Sequence, residues 1–267
     1  MKKLFRSLLV FSFGLTLFTC FVGCDDDDGP KLTGENTIYE LGPVSNAAVS
    51  GTVTFAKRDD DKTIITIQLA GTSSGGSHPA HIHANSAAES GAIILDLTAV
   101  DGATGKSVTV VEQLNDGTPV TYEELIEVDG YVNVHNSATD LATLIAQGDV
   151  GQNVLTGDVE TYALGPVSNP AVSGTATFAK RQNGETLITV ELTGTTAGES
   201  HPSHIHANAA AQGGGIIIDL NNVDGATGKS VTNVSQLNAG TQITYEELLD
   251  FNGYLNVHLS STSLATL

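Results

Sequence analysis

The segment Thr63-Ile64-Ile65-Thr66-Ile67-Gln68-Leu69 indicates which class of fold this sequence adopts. Its side chains alternate between two sets, Thr63, Ile65, Ile67 and Leu69 in one and Ile64, Thr66 and Gln68 in the other. Neighbouring side chains of a β-strand point to opposite faces of the sheet, so this alternation predicts a half-buried strand. Residues 58–61 predict a hairpin turn before it, and residues 49–57 predict the partner strand.

Further short segments of the same region predict more strands, each bounded by turn-forming residues. They cover residues 37–41, 81–84, 91–97, 106–111, 131–135 and 144–150. Thr121 and Glu124 have the spacing of a capping box and predict a one-turn helix before a turn at Gly130. The chain lacks Trp and is rich in Gly, Thr, Ser, Val and Ile. These features predict an all-β fold, either an antiparallel sandwich or a Greek-key barrel.

The chain contains this unit twice. Residues 32–144 align with residues 155–267 without a gap, and 74 of the 113 aligned positions are identical. A unit of this length is a whole domain, so we expect two tandem domains of one fold, at residues 32–153 and 154–267. The second copy has no counterpart of residues 145–151 in this sequence. Because native proteins avoid an unpaired sheet edge, we expect the last strand of the second domain to be missing through a C-terminal truncation.

The N-terminal residues predict export. Lys2, Lys3 and Arg6 precede an apolar run over residues 8–22, as in a secretory signal peptide. Residues 21–24, Phe-Val-Gly-Cys, resemble a bacterial lipobox, whose cysteine becomes the lipidated first residue. We therefore expect a lipoprotein signal peptide over residues 1–23 and lipidation of Cys24, with an ordinary cleaved signal peptide as the alternative.

Four aspartates at residues 25–28 follow this cysteine, and we expect residues 24–31 to form an acidic tether. The acidic run resembles the surface-export signal of Bacteroidetes lipoproteins. Together these features predict a cell-envelope protein held in the outer membrane by its lipid and exposed at the surface. The formal net charge is −19. That charge excludes nucleic acid as a partner, because its recognition needs a basic surface.

The eight histidines form one pattern that both copies contain. The first copy has His78-Pro79-Ala80-His81-Ile82-His83 and, later, Tyr131-Val132-Asn133-Val134-His135. Their counterparts in the second copy are His201, His204, His206 and His258. Strand alternation places His81 and His83 opposite Ile82, and places His135 on the face opposite the two valines. If the apolar side chains face the core, these three histidines lie on the other face, and we expect His78 to fold back over that face from a Gly-rich loop.

Neutral imidazole is a common nitrogen ligand of both Cu and Zn. The pattern therefore predicts one Cu or Zn site in each copy. The candidate ligands are His78, His81, His83 and His135 in the first copy and His201, His204, His206 and His258 in the second. Asp96 and Asp219 are candidates for additional ligands or for groups that support the histidines. Under the alternative interpretation, the histidines are polar surface residues or satisfy buried backbone groups.

At these residues the sequence resembles a known family. The Ala-His-Ile-His segment with its upstream His-Pro, the Tyr-Val-Asn-Val-His segment and the Gln-Gly-Asp-Val-Gly segment at residues 147–151 look like the CHRD domain, named for chordin. The resemblance covers nearly all of each copy, apart from the missing end of the second. It implies an immunoglobulin-like β-barrel and an extracellular or secreted setting.

These observations predict a non-catalytic binding module with two CHRD domains. Its expected partners are the membrane, through the lipid anchor, and an extracellular protein or glycan. The alternative is a structural or adhesive surface protein. A superoxide dismutase-like enzyme is disfavoured, because four histidines per copy cannot supply its two-metal ligand set and an acidic surface repels superoxide. Residues 101–107 end like a P-loop, but Val100 replaces its first glycine and a predicted strand follows, so they predict a turn.

Overall fold

The computed structural model of the chain describes residues 29–264 and residue 266. The predicted signal peptide, the predicted lipidation site Cys24 and the aspartates at residues 25–28 lie outside this range. The described part contains fifteen strands and two short helices, so the predicted all-β class is confirmed. None of the helices in that part is long and apolar enough to span a membrane.

The first eight strands form a closed barrel. Their bounds are β1 Leu32–Pro43, β2 Ser50–Arg58, β3 Thr63–Ala70, β4 Ser77–Ala84, β5 Ile93–Asp101, β6 Lys106–Val111, β7 Asp129–Ser137 and β8 Asp140–Gly151. The order around the barrel is β1-β2-β3-β6-β5-β4-β7-β8, and the paired strands are antiparallel. The connections from β3 to β4 and from β6 to β7 therefore cross over other strands, whereas the remaining connections join neighbours.

The second copy forms a seven-stranded sheet in the same order, β15-β12-β13-β14-β11-β10-β9. Its strands are β9 Leu155–Leu164, β10 Ser173–Arg181, β11 Thr186–Thr193, β12 Ser200–Ala207, β13 Ile216–Asp224, β14 Lys229–Val234 and β15 Gly253–Val257. Each strand corresponds to a strand of the first barrel, from β1 to β7, and β8 has no counterpart among the described residues.

The cores consist mainly of aliphatic side chains, as the low aromatic content requires. In the first barrel, Ile65 and Ile67 of β3 are fully buried and pack with Val53, Phe55 and Ile82. Burial of such side chains stabilises a fold by about 1.5–3 kcal/mol each. The apolar side chains that alternate over residues 63–69 are therefore the ones that line this core.

Short helices begin where the capping box predicts. Helix α1 covers Tyr122–Ile126, and the Thr121 hydroxyl accepts the backbone N–H of Glu124 while the Glu124 carboxylate accepts the backbone N–H of Thr121. Helix α2, Tyr245–Asp250, repeats the arrangement with Thr244 and Glu247. Each box satisfies two backbone donors that a helix start leaves without intrahelical partners.

Most of the observed strands of the first copy are longer than the predicted ones, and one difference concerns a candidate ligand. We expected His78 in a loop, and this was wrong, because β4 begins at Ser77. His78 pairs with Val100 of β5, and the register shifts between His78 and Ala80. Pro79 lies at this shift, where a missing N–H interrupts the hydrogen-bond ladder least.

A buried arginine joins the two copies. Arg181 at the end of β10 is completely buried, and its guanidinium Nη1 lies 2.7 Å from Oδ2 of Asp149 on β8. The same Nη1 donates to the backbone carbonyl of Asn153, and Nε donates to Oδ1 of Asn233 at 2.7 Å. Asn153 is itself fully buried and donates to Asp129 at 2.7 Å. The chain between β8 and β9 is therefore packed and hydrogen-bonded.

Candidate metal centre

Adjacent strands β4 and β7 position the candidate ligands. Ile82 pairs with Val132, and both side chains are fully buried in the core. His81 pairs with Asn133 of β7 and with Asp96 of β5, on the opposite face of the sheet. Residues paired across a sheet share a face, so the barrel directs these polar side chains outwards. The structure thus confirms the prediction from strand alternation that His81, His83 and His135 lie on the face opposite the core side chains.

The structure brings His81, His83 and His135 together. One ring nitrogen of each lies within 4.8 Å of those of the other two. Nδ1 of His81 and Nε2 of His135 are 3.2 Å apart. Nitrogens on a tetrahedral zinc are about 3.3 Å apart, given Zn–N bonds of about 2.0–2.1 Å. The trio therefore fits one ion with small side-chain adjustments.

Backbone carbonyls fix the protonation of two of these rings. Nδ1 of His83 donates to the carbonyl of Gly91 at 2.9 Å, and Nδ1 of His135 donates to the carbonyl of Leu141 at 2.6 Å. A carbonyl only accepts, so each neutral ring carries its hydrogen on Nδ1 and keeps the lone pair on Nε2. Hydrogen bonds of this kind orient histidine ligands in metal sites.

The second copy contains the same trio, His204, His206 and His258, again with nitrogens within 4.8 Å of one another. Nδ1 of His204, Nε2 of His206 and Nε2 of His258 are buried and have no hydrogen-bond partner among the described residues. Nδ1 of His206 donates to the carbonyl of Gly214 at 3.0 Å, as His83 does to Gly91. Buried polar atoms in native proteins are nearly always satisfied. The three unpartnered nitrogens therefore support a bound ion at the second trio.

Burial favours the neutral form of His81, His204 and His258, which is the form that metal ligation needs. Burial lowers the pKa of His81 below its usual value, and the neighbouring His135 lowers it further, although Asp96 acts in the opposite direction. Burial likewise lowers the pKa of His204 and of His258. Neutral rings offer a lone pair at pH 7, so an ion needs to displace few protons.

Aromatic and acidic neighbours complete each group. The Tyr131 ring stacks on His83 with centroids 4.9 Å apart, and Tyr254 stacks on His206 at the same distance. Asp96 places Oδ1 3.7 Å from Nε2 of His81, and Asp219 is equally far from Nε2 of His204. Each carboxylate thus faces the ring nitrogen that points away from the trio.

His78 and His201, the other two candidate ligands, lie apart from the trios. Each is buried, and its Nδ1 donates to a backbone carbonyl, that of Asn136 at 2.8 Å for His78 and that of Leu259 at 3.0 Å for His201. His78 shares the face of its partner Val100, a core residue. It therefore does not contribute to the group that contains His81.

Sequence reasoning missed the carbonyls of Gly91 and Leu141. Gly91 lies in the connection between β4 and β5, and Leu141 lies near the start of β8. Any residue type supplies a carbonyl, so no side-chain pattern marks either position. Strand alternation puts Tyr131 on the same face as His135, but the stacking of Tyr131 on His83 depends on the register between β4 and β7. That register is a tertiary property.

Comparison with known proteins identifies the first copy. The model of the CHRD domain family matches residues 31–140, which include β1 to β7 and the whole of the first trio. A search of the curated proteins and a search of the solved structures each found no match. The family assignment is consistent with a non-catalytic binding module. The region that contains β1 to β7 and the first histidine trio therefore matches the CHRD domain family.

Proposed function

We propose that this chain is a non-catalytic binding protein of the cell envelope that holds one Cu or Zn ion in each of two CHRD domains. The single observation that carries the proposal is the convergence of three ring nitrogens, twice, on one face of a sheet. The second copy is proposed as a further CHRD domain because of its gapless alignment with the first.

The ligand set indicates what each ion would do. His81, His83 and His135 supply three neutral nitrogens, which suit Cu and Zn, and no carboxylate belongs to the trio. Three protein ligands leave at least one coordination position for water or for a donor group of a binding partner. The ion would therefore act as an attachment point, with the protein supplying orientation through the two carbonyl acceptors.

The proposed location agrees with this role. A lipid on Cys24 would hold the protein at the outer membrane, with residues 25–31 as a spacer. A net charge of −19 raises the local concentration of cations around both domains. An extracellular protein or glycan with a metal-binding donor group is the proposed partner.

Calorimetric titration of metal-free protein with Zn(II) and with Cu(II) tests the proposal. We expect two ions per chain, because each trio brings three ring nitrogens within 4.8 Å of one another. The variant His81→Ala should retain one ion, and the variant His81→Ala/His204→Ala should retain none. Each alanine substitution removes one of only three ligand nitrogens in its trio. In the first copy His83 and His135 stay in place, because their rings are hydrogen-bonded to backbone carbonyls.

The matched control removes the two histidines outside the trios. The variant His78→Asn/His201→Asn should still bind two ions, provided that circular dichroism shows a folded protein. Equal loss of binding in both double variants would mean that the histidines bind metal without a defined site. No binding by the unmodified protein would leave the trios as structural features.

A structural or adhesive role is the second candidate, and the packed junction at Arg181 favours it. Two rigidly joined copies present two binding surfaces at a fixed spacing, which strengthens attachment to a repeating partner. In that case EDTA would leave the thermal unfolding temperature unchanged, whereas bound ions that stabilise the folded state would be lost with EDTA and the temperature would fall.

A further inference from the structure

The connection between β4 and β5 of the first copy, residues 85–92, contacts the first trio at its C-terminal end. The Gly91 carbonyl accepts the hydrogen of His83 Nδ1 at 2.9 Å, and the Gly91 backbone N–H donates to the Tyr131 hydroxyl at 3.1 Å. The Tyr131 ring stacks on His83. Both hydrogen bonds therefore fix this end of the loop against one proposed ligand.

The N-terminal end of the same loop contacts the junction between the copies. The backbone N–H of Ala87 donates to Oδ1 of Asp149 at 2.8 Å, and the Asn153 side chain donates to the carbonyl of Asn85 at 3.0 Å. Asp149 and Asn153 also bind the buried guanidinium of Arg181, through Oδ2 and through the backbone carbonyl respectively. The loop and the second copy therefore share these two residues.

The backbone of this loop contains one strained residue. Ser90 has φ +67°, a left-handed conformation that residues other than glycine rarely adopt. Its counterpart in the second copy is Gly213, which has the same φ and adopts it without steric cost. A strained residue persists where the surrounding structure holds it in place. The conformation of the first loop therefore depends on its surroundings, which include the trio and the junction.

The counterpart loop of the second copy, residues 208–215, is hydrogen-bonded within its own copy. The Gly214 carbonyl accepts the hydrogen of His206 Nδ1 at 3.0 Å, and the backbone N–H of Asn208 donates to the carbonyl of Asn252 at 2.9 Å. This loop thus repeats the contact with a trio, but its other partner belongs to the second copy. The second trio can therefore serve as an internal control.

We propose that an ion at the first trio and the second copy at the junction stabilise each other by ordering the same loop. The proposal rests on the metal binding proposed above and gives it a regulatory consequence. An ion on Nε2 of His83 would fix one end of the loop, and Arg181 fixes the other end through Asp149 and Asn153. Each event then meets a loop that the other has already ordered, so it loses less conformational entropy.

Hydrogen exchange in the full chain tests the effect of the ion on the junction. In the variant His204→Ala, Zn(II) should bind at the first trio alone. The reporters are the backbone amides of Ala87 and of Asn183, which lies in the second copy and donates to the carbonyl of Gln152 at 3.0 Å. Coupling between sites is typically at least about fivefold, so we expect saturating Zn(II) to slow both exchange rates by roughly that factor.

The variant His81→Ala is the matched control, because Zn(II) should then bind at the second trio alone. Exchange of the Ala87 and Asn183 amides should be unchanged by Zn(II) in this variant. Slowing of both amides to the same extent in the two variants would overturn the proposal, because it would reflect general stabilisation by metal and not the loop of the first copy.

The reciprocal experiment removes the arginine and measures metal affinity. Coupling has the same size in both directions, so Arg181→Met added to the His204→Ala chain should weaken Zn(II) binding at the first trio roughly fivefold. The same substitution in the His81→Ala chain should leave the affinity of the second trio unchanged, although Arg181 belongs to the second copy. Circular dichroism establishes that each variant is folded, and the exchange experiment decides the question without this substitution.

The outcomes separate this proposal from the metal site on which it rests. Calorimetry that shows Zn(II) at the first trio, with unchanged exchange of Ala87 and Asn183, would overturn the coupling and leave the metal site in place. Absence of Zn(II) binding by the unmodified chain would overturn both.

Discussion

At the scale of single residues, the trio depends on groups that do not touch the proposed ion. An ion on Nδ1 of His81 requires the ring hydrogen to reside on Nε2, and Nε2 faces Asp96 across 3.7 Å. A carboxylate in that position favours this tautomer and raises the basicity of the ligand nitrogen. The variant Asp96→Asn should therefore weaken binding at the first trio roughly tenfold, as measured by calorimetry with Zn(II).

The control for this variant is Asp116→Asn, which removes an exposed carboxylate that accepts the backbone N–H of Thr118 in a turn. It changes the net charge by the same amount but should leave the affinity unchanged. If both variants weaken binding equally, the effect of Asp96 comes from overall charge and not from its position beside His81.

At the scale of elements, the close approach of β8 to β1 makes one glycine sensitive. The variant Gly148→Ala places a methyl group 2.1 Å from the carbonyl oxygen of Glu40, so the two strands must separate. Overpacking of this kind costs about 1–3 kcal/mol of the free energy of unfolding. Urea unfolding of the variant and of the unmodified chain measures the loss.

Gly215→Ala is the comparison, because an added Cβ at Gly215 meets no atom within 4 Å. This variant should unfold within about 0.5 kcal/mol of the unmodified chain, as surface substitutions usually do. A similar loss in both variants would contradict the steric explanation for Gly148.

The alternation of apolar and polar residues predicted the strands because each strand of the barrel has one apolar face that points into the core. Residues 63–69 illustrate this, since their buried set is the set that the pattern selects. The ends of strands were less predictable: β4 begins at Ser77, in a segment whose glycines and proline indicate a loop. Likewise, parity gave the face of His81, His83 and His135 correctly, but their separations depend on the register of β4 against β7. No local pattern contains that register.

At the scale of the whole molecule, the junction between the copies depends on one buried charge. The variant Asp149→Ala leaves the guanidinium of Arg181 buried without its carboxylate. Removal of one partner of a buried ion pair destabilises a protein by about 3–5 kcal/mol. Urea unfolding should show this loss, and the two copies should then unfold at more clearly separated midpoints.

The ion pair of the equivalent arginine in the first copy provides the control. Arg58 pairs with Asp60 at 2.8 Å in the partly exposed hairpin that follows β2. The variant Asp60→Ala should cost about 1 kcal/mol or less, because solvent replaces the lost carboxylate. Equal losses in the two variants would show that burial of Arg181 adds nothing to the junction.

The acidic surface also predicts how the stability depends on pH. Hydrogen bonds from the Thr104 side chain and backbone lower the pKa of Asp101, and those from Thr227 lower the pKa of Asp224. The unfolded state then binds more protons than the folded state, so this stabilisation is present above the ordinary aspartate pKa and lost as the pH falls below about 4. The urea midpoint should follow this trend between pH 6 and pH 3.

The variant Asp101→Asn/Asp224→Asn isolates the contribution of these two groups. Repulsion among the other acidic residues changes with pH in both proteins, so the difference between them reflects the two turns alone. That difference should shrink as the pH falls from 6 to 3. A constant difference across this range would contradict the assignment.

The ion pair between Arg181 and Asp149 is also directional. The first copy offers a carboxylate from its last strand, and the second receives it with an arginine from its second strand. The two partners lie on different surfaces of the repeating unit, so the contact is heterologous and has no two-fold axis. Arg58, the counterpart of Arg181, pairs with Asp60 within the first copy instead. A heterologous contact joins domains head to tail, so the two copies are arranged with a defined direction along the chain.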